Sequence, residues 1–577
     1  KGCKNIISTE QILFIAEIGN NHNGDIARAK RLIDSCSQIG CKVAKFQLRN
    51  FKALYRNTKN DVEDLGVEYT KDLLLKYELT FEDHIFLSKY CNSVGVEYMC
   101  TPWDEDSVNQ LEIIGVQRYK ISSADFDNLP LIEKVISTEK PIILSTGMAT
   151  AEEIKQRIKF LDRSGCNYTL LHCNSTYPAP FEDIELNFIK TLRQMTKNVG
   201  YSGHERGISA SLGAIALGSV VIERHITEDK NLEGPDHQAS LLPDEFAKLI
   251  KLGKELKLSL GDNNITERKL SQGAILNREN LGKSIMAADL IPRGTIISRQ
   301  HLAVRSQGQG LKPTEMDKLI GRKVIKEIQK DDFIFFIHVK KFDFDKDTLK
   351  FPNKNWGIPV RPHDVIGLSQ LFHAPVYEFH ISYKDLEREL PCEDWSALSS
   401  SKILVHAPEL FEGSELLDLC NTTNLDLHIR NLNAVCDFAR KIASKIGVDD
   451  VIQIITNIGG FSTHEFRPNS EKPALYSMVA ANLELIDEAG CEITIQNMAP
   501  FPWHFGGQRY QNIFAFPDEI VEFCEKYKRK ITLDTAHLAL HCNYRESKFI
   551  EAITKLLPHT AHLHISDAIG TNGEGIV

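Results

Sequence analysis

The feature that most constrains the fold of this chain is a regular alternation of short apolar or β-branched runs with amphipathic helical stretches. Helical patterns such as IARAKRLIDSCSQIG and AEEIKQRIKFLDRSG separate eight such runs. The runs lie at 14–19, 42–48, 96–102, 118–124, 141–148, 168–178, 198–204 and 220–227. Strands that alternate with helices indicate a parallel sheet, and eight units predict an α/β fold with a closed (β/α)8 TIM barrel over residues 1–270.

Composition and charge exclude several classes of protein. A net charge of −10 argues against a nucleic-acid partner, and no run of about 18 apolar residues is present to cross a membrane. The 13 cysteines are scattered, odd in number and without CxxC pairs, and no signal peptide is recognisable. We therefore expect a cytoplasmic protein with reduced thiols. Its 577 residues are too many for one core, so several domains are expected.

Polar or ionisable side chains stand at nearly every predicted strand end, which is where a barrel of this kind carries its chemistry. Lys45 and Lys120, accompanied by serine hydroxyls at neighbouring ends, would form a good phosphate site, since ammonium groups supply charge and hydroxyls supply short hydrogen bonds. The alternative is that the two lysines form ion pairs with Glu17 and Asp125. Both arrangements can hold at once.

Two histidines, His204 and His225, end the seventh and eighth predicted strands. Neutral imidazoles on adjacent strands suit Mn²⁺ or Zn²⁺, with water or substrate oxygens completing an open coordination shell. Taken alone, the pattern agrees equally well with two ordinary buried histidines at strand ends.

The pieces IAEIGNNHNGD, AKFQ, KISSAD, LSTGM, LHCNSTYP, GYSGHERG, IERHIT and GPDHQAS follow one another along the chain. Together they resemble the sialic acid synthases, also called N-acetylneuraminate synthases, over about residues 10–340. The resemblance implies a transferase that condenses phosphoenolpyruvate with an N-acetylated amino sugar of the N-acetylmannosamine type, free or phosphorylated. The products would be a nine-carbon 2-keto sugar acid and phosphate. Legionaminic or pseudaminic acid synthesis is the alternative within the family.

By the same resemblance, His204 and His225 bind a divalent metal that polarises the sugar aldehyde, with Mn²⁺ expected ahead of Mg²⁺ or Co²⁺. The sugar and the reacting centre are held by Glu17, Gln47, Tyr177 and Asp236, of which Glu17 handles a proton or places the attacking water. Phosphoenolpyruvate is bound by Lys45, Lys120, Ser123, Ser145, Ser175 and Ser202. Ser175 is a departure, because many members have an asparagine there, and the neighbouring Asn174 could partly substitute for it.

Residues 281–340 contain the turn-like pieces IPRG and QKDD, which are typical of a small β-rich domain. The segment resembles the antifreeze-like, or SAF, domain that follows the barrel in the same family. The resemblance implies a domain-swapped homodimer in which Arg305, within VRSQGQG, contacts the sugar on the partner subunit. Members more often have RPGNG, so Ser306 and Gln309 are departures. Without the resemblance, Arg305 would be interpreted as a solvated loop residue.

A linker over 341–375 leads into a second βα domain over 376–577, whose pattern is that of a barrel incomplete at its C-terminus. Strand-like runs lie at 376–381, 402–408, 451–456, 492–497, 530–537 and 562–566, and WGIPVR could add a seventh. The pieces VHAP, LDTAH and HLHISD resemble the xylose isomerase-like TIM-barrel family. That resemblance implies a second metal site, whose candidate ligands are His406, Asp534, His537 and His564.

Gln496 stands where the xylose isomerase-like family has a metal-binding glutamate, and a neutral amide is a poor ligand for a hard cation. Two interpretations follow. The domain is a sugar isomerase or epimerase that serves the first barrel, or it is a degenerate barrel that binds a sugar or stiffens the assembly.

Two other functions compete with the synthase. A lysine Schiff-base aldolase would use Lys45 or Lys120, but it needs one lysine in an apolar pocket that lowers the lysine pKa, not two among phosphate-binding hydroxyls. A non-catalytic scaffold is disfavoured by the complete set of polar strand ends in the first barrel.

Overall fold

The computed structural model describes residues 12–54, 72–261, 268, 270–340, 355–504, 507–570 and 573–574. The chain divides into two compact units, Lys1–Glu267 and Arg268–Val577. The first unit is a closed barrel of eight parallel strands in chain order, which confirms the predicted fold. Within the described ranges, no helix is both long enough and apolar enough to cross a membrane.

The barrel strands follow the predicted runs closely. They are β1 Leu13–Glu17, β2 Val43–Leu48, β3 Glu97–Pro102, β4 Tyr119–Ile121, β5 Ile142–Ser145, β6 Tyr168–Cys173, β7 Val199–Gly203 and β8 Val221–His225. The helices of this unit are α1 Ile26–Gln38, α2 Phe51–Leu54, α3 Phe81–Ser93, α4 Glu105–Ile114, α5 Leu129–Ile136, α6 Ala151–Ser164, α7 Phe188–Met195, α8 Ser209–Ala216 and α9 Pro243–Leu260. Thr80 and Thr150 begin α3 and α6 with capping boxes, because their hydroxyls accept from otherwise unpaired N–H groups of the first turn.

The inside of the barrel is layered, because successive side chains of a strand point to opposite faces. One apolar layer consists of Ile15, Val43, Met99, Ile143, Leu171 and Val221. Two residues further along three of these strands stand Glu17, Lys45 and Glu223, all buried. The strand register sets Glu17 beside both Lys45 and His225. The apolar layer thus supports a polar one at the carboxyl ends of the strands.

The second unit begins with a small module that has its own core. Here α10 spans Gln272–Leu281, and the antiparallel strands β9 Lys283–Ala287 and β10 Leu302–Ser306 pair with each other before the short α11, Met316–Leu319. Ile285, Ile297, Leu319 and Ile334 are among the buried residues that pack inside it.

Seven parallel strands in chain order form a second sheet in this unit. They are β11 Gly357–Val360, β12 Val376–His380, β13 Lys402–His406, β14 Ile452–Thr456, β16 Cys491–Gln496, β20 Ile531–Asp534 and β21 Thr560–His564. The helices are α12 Val365–Phe372, α13 Leu425–Ile446, α14 Lys472–Leu483, α15 Pro517–Tyr527, α16 Thr535–Arg545 and α17 Phe549–Leu556. Two-residue strands form small additional pairs: β15 Phe461–Ser462, β17 Trp503–His504, β18 Gly507–Gln508, β19 Tyr510–Gln511, β22 Ala568–Ile569 and β23 Gly573–Glu574.

The second sheet begins before the predicted boundary at residue 376. The sequence pattern assigns β11 and α12 to the linker, but both are regular elements of this unit. β11 pairs with β12, since WGIPVR supplies an extended segment. Residues 341–354 lie outside the described residues. The sheet is strongly curled, as two contacts between its last strand and its second strand show. His562 and His564 on β21 lie 2.9 and 3.0 Å from Glu378 on β12.

Candidate functional site

Four buried charged side chains form the centre of the polar layer in the first barrel. Lys45 Nζ lies 3.0 Å from a carboxylate oxygen of Glu17 and 3.0 Å from one of Glu223. Lys120 Nζ lies 3.5 Å from the other oxygen of Glu223. The expected pair of Lys45 with Glu17 is therefore present. Lys120 pairs with Glu223 and not with Asp125, whose carboxylate instead accepts a hydrogen bond from a neighbouring serine.

Glu223 is a site residue that the sequence analysis missed. It is shared by both lysines and also accepts a hydrogen bond from Ser202 Oγ at 2.9 Å. The sequence did contain a signal for Glu223, which stands two residues before His225 in the same strand. Because side chains alternate along a strand, residues two apart face the same side, here the inside of the barrel.

The pKa values within this cluster move in different directions. Burial raises the pKa of Glu17 to about 7, with the negative charge of Glu223 adding to the effect and Lys45 opposing it. Burial acts in the same direction on Glu223, but Lys120 and Lys45 outweigh it and hold the pKa of that carboxyl below its usual range. Burial lowers the pKa of Lys120 despite its contact with Glu223. The cluster thus combines Glu223, whose carboxyl stays ionised, with Glu17, whose pKa lies near neutrality.

Small hydroxyl groups surround Gly147, in the loop after β5. Ser123 Oγ accepts a hydrogen bond from the Gly147 N–H at 3.1 Å. A Cβ on residue 147 would lie 2.5 Å from Ser175 Oγ and 3.1 Å from Ser123 Oγ. Ser145 Oγ is buried and has no hydrogen-bond partner within the described part of the chain. Hydroxyls that are close together and incompletely paired are suited to bind phosphate oxygens.

Ser175, and not Asn174, faces this hydroxyl pocket. The side-chain amide of Asn174 donates to the carbonyl oxygen of Asp183 at 2.9 Å and accepts from the Thr176 N–H at 2.9 Å. These local hydrogen bonds hold the Asn174 side chain, and its partial substitution for the asparagine of related sequences stays a prediction.

His204 and His225 lie side by side, with their ring centroids 5.5 Å apart. Nδ1 of His204 is 2.6 Å from the carbonyl oxygen of Asn174, which places the proton on Nδ1 and leaves Nε2 with its lone pair. Nδ1 of His225 is buried without a hydrogen-bond partner among the described residues, and it lies 3.8 Å from Asp236. Burial lowers the pKa of His204 to about 4 and that of His225 well below its usual value. Two neutral imidazoles, one with an unpaired nitrogen, fit a divalent metal.

The other predicted residues of the first barrel surround this pair. The Tyr177 ring packs on the His204 ring with centroids 4.0 Å apart. Gln47 Nε2 donates to Glu17 at 2.8 Å, and burial raises the pKa of Asp236 to about 6. One rim of the barrel therefore gathers the predicted phosphate, metal and sugar residues that belong to this unit.

Arg305 stands in β10, in the small module of the second unit. Its Nη2 lies 3.2 Å from Asp331 Oδ1, and about half of its side chain is exposed. The residue is thus on the surface of its own module.

At the carboxyl ends of the second sheet, three of the four predicted metal residues converge on Gln496. His406 Nε2 lies 3.0 Å from the Gln496 amide oxygen, and the Gln496 amide nitrogen donates to Asp534 at 3.1 Å. Nδ1 of His564 is 3.3 Å from the same amide nitrogen. The fourth predicted residue, His537, contacts the backbone next to Gln496. Its Nδ1 lies 2.7 Å from the carbonyl oxygen of Asn497.

Glu378, in β12, is the second site residue that the sequence analysis missed. One of its oxygens lies 2.9 Å from His562 Nε2 and 3.0 Å from His564 Nε2, and the other lies 2.7 Å from His380 Nε2. Single ligand atoms of Glu378, His406 and His564 all lie within 4.8 Å of one another. The available signal was the piece YEFHI, in which a period of two puts Glu378 and His380 on one face.

Comparisons with known proteins match the first unit and the small module. Residues 32–265 match the model of the NeuB family, and residues 282–339 match that of the SAF domain. An N,N'-diacetyllegionaminic acid synthase from Campylobacter jejuni is 36% identical over 340 residues, which cover 56% of this chain and 99% of that protein. An N-acetylneuraminate-9-phosphate synthase from Homo sapiens is 35% identical over 332 residues, covering 56% and 90%. A crystal structure of N-acetylneuraminic acid synthetase from Leptospira borgpetersenii is 31% identical, covers 48% of this chain and 95% of that one, and has a TM-score of 0.44.

Proposed function

Because this chain belongs to the NeuB family, we propose that its first barrel condenses phosphoenolpyruvate with an N-acetylated amino sugar, giving a nine-carbon 2-keto sugar acid and phosphate. The relatives are named as synthases of legionaminic acid and of N-acetylneuraminate 9-phosphate, so the chain is a carbon–carbon bond-forming synthase. The observation that carries the proposal is the buried cluster of Lys45, Glu223 and Lys120 beside the hydroxyl pocket at Gly147.

The lysine cluster supports binding of the phosphate end of phosphoenolpyruvate. An isolated buried ammonium group is costly, and Glu223 compensates both Lys45 and Lys120 before a ligand arrives. A phosphate dianion brings further negative charge to the same two lysines, while the hydroxyls of Ser123, Ser145 and Ser175 can donate to its oxygens. Ser202 can join them when its hydroxyl turns from Glu223 to the phosphate. The charge pattern therefore selects an anionic substrate without requiring a positively charged protein.

Glu17 is suited to handle the proton of the reaction. In the condensation, C3 of phosphoenolpyruvate bonds to the aldehyde carbon, the aldehyde oxygen gains a proton, water adds at C2, and the C2–O bond to phosphate breaks. The pKa of Glu17 lies near neutrality, and Gln47 donates to one of its oxygens, so the carboxyl is both oriented and able to exchange a proton. Tyr177 and Asp236 stand beside it as candidate contacts of the sugar.

The histidine pair fits a divalent metal, and His204 and His225 would hold it. When bound, the metal would polarise the aldehyde oxygen of the sugar. Mn²⁺ is the first choice because it accepts both imidazole and oxygen ligands, with Mg²⁺ and Co²⁺ as alternatives.

The test of the synthase is phosphate release that requires phosphoenolpyruvate, an N-acetyl hexosamine and Mn²⁺ together. His204→Ala and His225→Ala should each abolish this release while circular dichroism stays unchanged. A matched control is His84→Ala, because His84 is a buried histidine on α3 that bonds Tyr98 outside the polar layer. Absence of release with every sugar, or activity that survives both site variants, would contradict the proposal.

A lysine Schiff-base aldolase is the second candidate, and the lowered pKa of Lys120 favours it. The contact with Glu223 and the second lysine favour the synthase instead. Reduction with borohydride in the presence of pyruvate separates the two functions. A synthase is not trapped, whereas an aldolase gains a covalent three-carbon adduct on Lys45 or Lys120 that mass spectrometry detects.

We also propose a domain-swapped homodimer in which Arg305 reaches the sugar site of the partner subunit. The exposed position of Arg305 supports this role, as does the match of its module to the SAF domain.

The described cysteines are all free, which supports a reducing, cytoplasmic setting for the protein.

For the second sheet we propose binding or isomerisation of the amino sugar, with His406, Asp534, His537 and His564 among the polar residues involved. The test uses the full chain with Lys45→Ala, which silences the first barrel. Conversion of an N-acetyl hexosamine, followed by nuclear magnetic resonance, would support an isomerase or epimerase. Binding without conversion would support the degenerate barrel.

A further inference from the structure

We propose that Trp503 is a positioning residue for Arg305 and that helix α10 connects the two. The inference rests on the proposed role of Arg305 in the sugar site, and it gives the second sheet a part in the condensation. The elements involved, β17, α10 and β10, all belong to the second unit. Their contacts form one continuous path from the chain that follows β16 to Arg305.

The path begins where the Trp503 ring packs against Gly273, in the first turn of α10. A Cβ on residue 273 would lie 2.7 Å from ring atoms Cη2 and Cζ3 of Trp503 and 3.0 Å from Cζ2. Only glycine therefore lets the ring lie directly against the helix backbone. Gly273 is buried, whereas residues 276–281 of the same helix are exposed. The ring thus covers the buried end of a helix whose second half faces solvent.

Helix α10 depends on contacts of this kind for its position. Ser271 Oγ accepts a hydrogen bond from the Ala274 N–H at 3.3 Å, and the Trp503 ring packs on the same turn. A helix of ten residues is marginal in isolation, so contacts with its surroundings decide where it lies. Removal of the ring would therefore free the first turn to shift.

At its other end, α10 packs on the loop that follows Arg305. The Gly308 N–H donates to the carbonyl oxygen of Glu279 at 2.7 Å. A Cβ on either Gly282 or Gly308 would lie 2.1 Å from the carbonyl oxygen of Arg278. The helix end and the loop are thus in direct backbone contact, so a shift of the helix is passed to the loop.

Arg305 is joined to the same helix end by strand pairing. β9 follows α10 after a single residue, and its register sets Arg305 opposite Ser284. Between Arg305 and Gly308, Gln307 has a φ of 90°, a conformation that residues with side chains rarely adopt. Such a backbone persists where its surroundings hold it, and here the end of α10 supplies that support.

Trp503 is itself held by the second sheet. It stands opposite Gln508 in the pair of β17 with β18, in the connection that follows β16. The Arg509 N–H donates to the carbonyl oxygen of Pro502 at 2.9 Å and extends this pairing. The second sheet is therefore the support against which Trp503 holds α10.

A fixed backbone matters for Arg305 because its side chain is long and about half exposed. Ordering such a side chain on a ligand costs conformational entropy, and a backbone that is already in place reduces the cost of binding. Loss of the Trp503 contact should therefore weaken sugar binding. Phosphoenolpyruvate, which we assign to Lys45 and Lys120, should bind as before.

Hydrogen–deuterium exchange of the full chain tests the path without any substrate. Trp503→Ala should speed exchange of the Gly308 amide roughly 10-fold, because its hydrogen bond lies at the far end of α10. Trp503→Phe keeps a ring on Gly273 and should stay close to the wild-type rate. The matched control is Tyr527→Ala, since Tyr527 is half-buried like Trp503 but packs on Phe523 in α15. Exchange at Gly308 should not change in this control.

Steady-state kinetics test the consequence for the condensation. Trp503→Ala should raise the KM for the N-acetyl hexosamine roughly 10-fold, while kcat and the KM for phosphoenolpyruvate stay within about twofold. The same exchange added to Arg305→Ala should have no further effect, because both changes act through one arginine. General destabilisation of the second unit would instead lower the rate in both backgrounds.

Two results would overturn the path: unchanged exchange at Gly308 in Trp503→Ala, or an equal rise of the KM in the wild-type and Arg305→Ala backgrounds. Circular dichroism reports whether each variant folds. If Trp503→Ala does not fold, Gly273→Ala disturbs the same contact from the helix side, and it should speed exchange although alanine favours helix. If Arg305→Ala leaves the KM unchanged, the proposed role of the arginine fails, and the exchange rates still decide whether the path exists.

Discussion

Gly147 tests the phosphate pocket at the scale of one residue. A methyl group there would lie 2.5 Å from Ser175 Oγ and would push apart the hydroxyls that we assign to phosphoenolpyruvate. Since each hydrogen bond to a charged group contributes about 1.5–3 kcal/mol, Gly147→Ala should raise the KM for phosphoenolpyruvate roughly 10- to 100-fold. Steady-state kinetics measure this change. Gly367→Ala is the control, because a Cβ there meets nothing within 4 Å, and an unchanged KM in Gly147→Ala would contradict the pocket.

Glu17 sets an expected pH dependence. Its pKa is raised to about 7, so the carboxyl is protonated below that pH and charged above it. If the charged form accepts a proton in the reaction, kcat/KM rises with pH through this range. Glu17→Gln should lower kcat about 10²- to 10⁴-fold and remove the rise. A pH series of initial rates checks both effects, and the same pH profile in the variant would exclude Glu17 from proton transfer.

The residues predicted from strand ends were found at one rim, and Glu17 was predicted as a counter-ion of Lys45, but Glu223, which pairs with both lysines, was not predicted. Lys45, Lys120, His204 and His225 lie within recognisable runs or at their ends. Glu223 lies within such a run as well, but its role as a counter-ion of Lys120 arises only when the closed barrel sets β8 opposite β4. Charge pairing across a barrel is a property of tertiary distance, which local sequence does not encode.

At the scale of elements, a buried ion pair ties the ends of β7 and β8 together. Arg224 Nη1 lies 2.7 Å from Glu205, and neither side chain is exposed. Arg224 precedes His225 and Glu205 follows His204, so the pair maintains the spacing of the two histidines. Arg224→Met should destabilise the fold by about 3–5 kcal/mol, because it leaves the carboxylate buried and unpaired.

Denaturant unfolding measures this loss, and the double variant Glu205→Gln with Arg224→Met should recover part of it. The recovery is expected because the double variant removes the uncompensated charge. A loss below about 1 kcal/mol in the single variant would mean that water or another group stabilises the carboxylate.

The bounds of the elements were predicted less exactly than their existence. The run at 118–124 predicts a longer strand than β4, which ends at Ile121. Beyond it, Ser122 Oγ donates to Asp125 at 2.8 Å and accepts from the Asp125 N–H at 3.2 Å. Such local side-chain bonds compete with strand pairing and turn the chain.

At the scale of the whole molecule, the swapped dimer makes a prediction about mixed subunits. Glu17→Gln and Arg305→Ala homodimers should each be nearly inactive. In a mixed dimer with Arg305 acting in trans, one of the two sites keeps both an intact Glu17 and an intact arginine. Refolding an equal mixture should therefore restore about a quarter of the wild-type activity. Activity no higher than the sum of the two variants would show that Arg305 does not act in trans.

The sequence by itself determined the eight-stranded barrel, the second set of parallel strands and the strand ends that carry lysines and histidines. Periodicity and strand-end position are local properties, so they can be read along the chain. Only the tertiary structure decided that Glu223 compensates both lysines, that Ser175 rather than Asn174 faces Gly147, and that Glu378 joins His406 and His564. Each of these decisions depends on distances between residues far apart in the chain, which closure and curling of the sheets establish.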